Sequence, residues 1–97
     1  MKLVAHREIE CDLQMACCYY RERDERLPAR FLNEYEKAKE WVLSYPLLGR
    51  AGKLHIRRSM LNGFPFAIFY QVIEDTIYLG AVMHLSRDER AWLERFE

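Results

Sequence analysis

No stretch of this chain approaches the roughly 20 apolar residues that a bilayer-spanning helix needs. The first dozen positions also lack the apolar core of a secretion signal, because Glu8, Glu10 and Asp12 interrupt it. No membrane role is therefore expected, and the cytoplasm is the expected location. Cysteine is scarce. Cys11, Cys17 and Cys18 fall in one short segment, neighbouring thiols do not pair easily, and an odd number leaves one free. That excludes a disulfide framework and fits a reducing compartment. The three also lack the two-residue spacing of zinc ligands, so no metal is expected, and their place on an amphipathic segment predicts buried helix cysteines.

Other signatures are missing too. Gly49-Arg50-Ala51-Gly52-Lys53 has Leu47 where a phosphate loop needs its first glycine, and Leu54 where it needs Ser or Thr. It reads as a basic loop. No nucleophile elbow and no Ser-His-Asp order is present, and no cofactor is expected. Repeats and low-complexity segments are absent as well.

Acidic residues are missing from one region only. Positions 41 to 73 hold Arg50, Lys53, Arg57 and Arg58 against no Asp or Glu, while the whole chain is neutral with 15 of each sign. A patch of four cations suits an acidic partner or a phosphate, whereas a general nucleic-acid binder usually carries a larger excess.

What is present is a folded balance, 51% hydrophobic and 31% charged over 97 residues, which supports one domain spanning 1–97 with one core. Lys2 to Ala5 reads as a brief strand. From about Glu8, Ile9, Leu13, Ala16, Cys17 and Tyr20 recur at helical spacing, with Glu10, Asp12, Gln14, Arg21 and Glu22 as the wet face. Leu27-Pro28 opens a second helix to about Ser44, since proline suits a first turn. Its stripe is Leu27, Phe31, Tyr35 or Glu34, Ala38, Trp41, Val42 and Tyr45. Pro46 to Lys53 is a loop.

Three strands follow. Ile56 to Leu61 meets Asn62-Gly63, a two-residue hairpin signal. Phe64 to Ile73 is apolar on both alternating sets, as in a central strand covered on both faces, with Pro65 at its start or at a bulge. Glu74-Asp75 turns into Thr76 to His84, and Asp88 caps a short final helix through Ala91, Trp92, Arg95 and Phe96. The pattern predicts an α+β fold, β-α-α-β-β-β-α, with a helix hairpin packed on a small, mainly antiparallel sheet.

Several residues carry chemical interest. Arg57 and Arg58 are successive on a strand and so point to opposite faces, one toward solvent or a partner and the other needing a counter-charge. His84, with Arg87 and Arg90 beyond it, combines a group able to move protons near neutral pH with groups able to hold a phosphate or a developing negative charge. Alternatively, His84 bonds the backbone at a strand end and the arginines pair with Asp88, Glu89 and Glu94. Trp92 belongs to a terminal helix that is easily displaced.

Taken in register, Asp12-Leu13, Arg30-Phe31, Pro46 with Gly49, Phe64-Pro65-Phe66 running to Tyr70, and Ala81-Val82-Met83-His84 through Arg87 to Trp92 resemble the RelE/ParE superfamily of toxins from bacterial type II toxin–antitoxin systems. The resemblance implies an antitoxin partner and one of two activities. RelE-like members are ribosome-dependent mRNA endonucleases, and often carry an arginine where this chain has the apolar run Phe64-Pro65-Phe66-Ala67. ParE-like (plasmid stabilisation) members poison DNA gyrase through protein contact, and the Phe-Pro-aromatic run with Tyr70 looks more like these. A toxin-fold protein that only binds an antitoxin is a third expectation. If the chain were a nuclease, His84, Arg87 and Arg58 would be its candidate catalytic residues. The partner-binding candidates are Arg57, Arg58, His84, Arg87, Arg90 and Trp92, and the resemblance implies an oligomer with the antitoxin.

Overall fold

The computed structural model describes all residues 1–97. Strand β1 (Lys2–Ala5) leads into helix α1 (Ile9–Arg21) and helix α2 (Leu27–Ser44), with Pro28 in the first turn of α2. Strands β2 (Arg57–Met60), β3 (Phe66–Ile73) and β4 (Thr76–His84) follow, then helix α3 (Arg90–Leu93) and a 3-10 turn over Glu94–Phe96. The strands lie in the order β1-β4-β3-β2, with β1 parallel to β4 and the other pairs antiparallel. This is the α+β order expected, a helix hairpin on a mainly antiparallel sheet.

The double apolar alternation of β3 divides the molecule into two cores. Phe64, Phe66, Ile68 and Tyr70 face the helix hairpin and pack with Phe31, Tyr35 and Val42. Ala67 and Phe69 face the other way, under Trp92 and Phe96 of the C-terminal segment. In β4 the alternation is shifted at Gly80: Phe69 pairs with Ala81 and Tyr70 with Leu79, which leaves Gly80 as an extra residue. Ile77, Leu79 and Val82 consequently share the hairpin face despite their mixed parity. The same shift carries His84, opposite Phe66, onto that face.

Four local expectations are corrected. Asn62-Gly63 is not a two-residue turn, because Leu61 N–H donates to the Phe66 carbonyl at 3.0 Å around residues 62–65 and only Gly63 has positive φ, +82°. The cause is burial: Leu61 and Phe64 both enter the hairpin core, where Phe64 packs on Phe31 and Tyr20, and Pro65 has no N–H for the ladder. Asp12 is buried, not on the wet face of α1. Trp41 and Tyr45, each 52% exposed, leave the buried stripe of α2. Trp41 sits about 80° round the helix from the Phe31 line, and Tyr45 has already left helical geometry at the C-cap. Of the cysteines only Cys17 is buried.

Candidate functional site

His84 stands at the end of β4, edge-on to Phe66 with ring centroids 5.3 Å apart. Its Nδ1 accepts hydrogen bonds within the turn from Ser86 N–H at 3.0 Å and lies 2.8 Å from Ser86 Oγ. Through Nδ1 the ring is held against the turn that follows β4. Arg87 shares with it a hollow of about 280 Å³, lined also by Asp12, Tyr19 and Phe66. These two residues are brought together. Arg90 lies outside, exposed and 3.5 Å from Asp88, and Glu89 pairs with Lys53 instead of with an arginine.

Arg57 and Arg58 do point to opposite faces. Arg57, opposite Tyr70, finds no counter-charge. Its Nη1 donates to the carbonyls of Leu47 and Gly49 at 3.0 and 2.7 Å. Tyr70 O–H donates to Pro46 O at 3.1 Å, so the pair pins the loop after α2. Burial raises the Tyr70 pKa, with Arg57 pulling the other way. Arg58 lies across from Phe69 on the face away from the hairpin, its guanidinium 5.4 Å from the Phe69 ring centroid. The sheet therefore separates Arg58 from His84 and Arg87, and the three candidate nuclease groups do not converge. Trp92 is a core residue, stacked on Phe69 at 4.4 Å and 14°.

Two features escaped the sequence reading. The first is a partly buried pair: Arg95 Nη1 and Nη2 donate to Asp12 Oδ2 and Oδ1 at 2.6 and 3.0 Å. The signal was available, since Asp12 follows Ile9 by three and precedes Ala16 by four, inside the buried arc of α1. The second is a groove of about 510 Å³ between α2 and β2, walled by Trp41, Tyr45 and Leu48 on one side and by β2 at Ser59 and Met60 on the other. Trp41 and Tyr45 pack on each other at 4.6 Å, and Leu48 and Met60 are more than half exposed. The loop pinned by Arg57 and Tyr70 forms its end wall.

No family model and no curated protein matches the sequence. Among solved structures, a chain of the chromosomal ParDE TA system from P. aeruginosa superposes over 89% of this chain and 97% of its own length, with a TM-score of 0.66 and 20% identity. At that identity the likeness is one of architecture, and it shows that this chain shares the fold of that ParDE-system chain.

Proposed function

We propose that the chain is the toxin of a type II toxin–antitoxin system, of the ParE-like kind, which inhibits DNA gyrase by protein contact in the bacterial cytoplasm and is neutralised by an antitoxin. The observation that carries this reading is the fold shared with the ParDE-system chain over nearly the full length of both. The dispersal of the basic groups supports contact over cleavage, because a phosphoryl-transfer site needs its charges to converge on one phosphate. Arg58 lies across the sheet from His84.

The antitoxin surface we assign to the helix hairpin and the open edge of β2, where the Trp41/Tyr45/Leu48 groove offers apolar anchors beside unpaired strand groups. His84 and Arg87, at the end of β4 and in the turn after it, two strands in from that edge, are the partner-facing residues we assign to the target.

The test is a supercoiling assay with purified gyrase. Inhibition, or trapping of cleaved DNA, is the expected result, with relief on adding the antitoxin. Cleavage of mRNA only when ribosomes are present, abolished by His84→Ala and by Arg87→Ala, would overturn it in favour of the RelE-like endonuclease. Antitoxin binding with neither effect would identify a non-toxic binding module.

A further inference from the structure

A second groove, about 490 Å³, lies on the sheet face away from the helix hairpin, bordered by Arg50, Lys53 and Arg58 and floored by Phe69 and Trp92. Three of the four cations of the acid-free stretch 41–73 meet here. Arg50 and Arg58 form no ion pair in the structure. Lys53 is held by Glu89, Nζ to Oε1 at 2.5 Å, and Glu89 belongs to the C-terminal segment across the groove.

That pair is loose. The Lys53 and Glu89 side chains are 67% and 46% exposed, so solvent screens the contact and another anion can replace the carboxylate. The turn that presents Lys53 is the reverse: Leu54 and His55 both have positive φ, +54° and +59°, which is uncommon for residues with a Cβ. Gln71 Nε2 donates to the Leu54 carbonyl at 2.7 Å and ties that turn to β3. Lys53 is therefore presented from a constrained turn, while its present anion is exchangeable.

We propose that this groove binds the phosphodiester backbone of a nucleic acid strand, with Glu89 occupying Lys53 as an internal competitor. Three cations over an apolar floor contact phosphates without reading base edges, so binding is independent of sequence. The inference does not rest on the gyrase reading, because it concerns the isolated chain.

The experiment is fluorescence anisotropy of the purified chain with labelled 12-nucleotide single-stranded DNA, the same strand as RNA, and the duplex, each at several salt concentrations. Binding is expected to weaken with salt at a log–log slope of about −2 for a single strand held by three cations. Arg50→Gln and Arg58→Gln each lower affinity about three- to tenfold and make the slope shallower by about 0.7. Glu89→Gln raises affinity several-fold by freeing Lys53. All three are exposed positions, and unchanged thermal melting confirms that the fold is kept. Absence of binding at 50 mM salt, wild-type affinity in the Arg50→Gln/Arg58→Gln double variant, or no gain in Glu89→Gln overturns the proposal. So does equal competition by pyrophosphate per phosphate group, which would make the site one for free phosphate.

Discussion

Arg95 and Asp12, 83 positions apart, form a two-pronged ion pair at 2.6 and 3.0 Å that closes the open edge of β4. Strand β1 covers β4 only as far as Leu79, and His6 N–H makes the last bond on that side, to Leu79 O. Beyond it, Asp12 Oδ2 accepts from Val82 N–H at 3.0 Å and Arg95 Nη1 donates to Gly80 O at 3.2 Å. The pair thus does for the second half of β4 what a neighbouring strand does for the first. It also joins α1 to the C-terminal segment.

We predict that Asp12→Ala costs about 3 kcal/mol, because it leaves the Arg95 guanidinium and the Val82 N–H buried without their acceptor. The double change Asp12→Leu with Arg95→Met should cost clearly less than the two single changes added together, since neither charge is then stranded. Urea unfolding of the wild type, Asp12→Ala, the two single changes and the double variant measures this. Strict additivity would show that the two side chains do not act as a pair.

The C-terminal segment should behave as a lid on the second core. Trp92 stacks on Phe69, and Ala67, Ala81 and Met83 lie in the same cluster. Trp92→Ala is expected to cost about 3 kcal/mol. Deletion from Asp88 onward should cost at least as much and add binding of an apolar dye. A truncated chain as stable to urea as the full one, and without dye binding, would count against the lid.

Gly80 should prove sensitive for one nameable reason. A Cβ there would overlap the Phe96 ring, so that ring, the far end of a side chain near the terminus, must shift to admit it. Gly80→Ala is predicted to cost about 1 kcal/mol through lost Phe96 packing. In a Phe96→Ala background the same change should be neutral within about 0.5 kcal/mol. Thermal melts of the two pairs decide, and an equal cost in both backgrounds would trace the effect to the bulge backbone instead.

Alkaline pH should weaken the fold through Tyr35. Burial, with Glu36 and Glu10 nearby, pushes its hydroxyl up to about 12 from an ordinary value of 10. The neutral form is thus favoured in the folded state, so its contribution is complete below about pH 10 and is lost as pH rises through about 12. The loss is expected to be about 2 kcal/mol. Urea midpoints between pH 8 and 12 should fall less steeply in Tyr35→Phe; identical slopes would remove Tyr35 as the cause.

The elements were legible because their signals are local. Ile9, Leu13, Ala16 and Tyr20 repeat at helical spacing, Pro28 opens α2, and the two apolar sets of Phe64 to Ile73 require a strand covered twice. The two-residue reading of Asn62-Gly63 failed because burial of Phe64 outweighed the turn preference. The chemical residues were legible as residue types but not as a site. His84 and Arg58 look like neighbours in a list of strand-end cations, yet strand register and the Gly80 bulge place them on opposite faces.

Composition and periodicity thus suffice for the α+β class, the order of elements, the two-faced central strand and the acid-free basic stretch, since each depends on residues close together in the chain. Tertiary structure decided the remainder: that Asp12 meets Arg95, that Arg50, Lys53 and Arg58 border one groove, and that Trp41 and Tyr45 stay exposed. Those outcomes depend on which surfaces meet when the helices and the C-terminal segment close over a twisted sheet, and contacts across 83 positions leave no periodic trace in the chain.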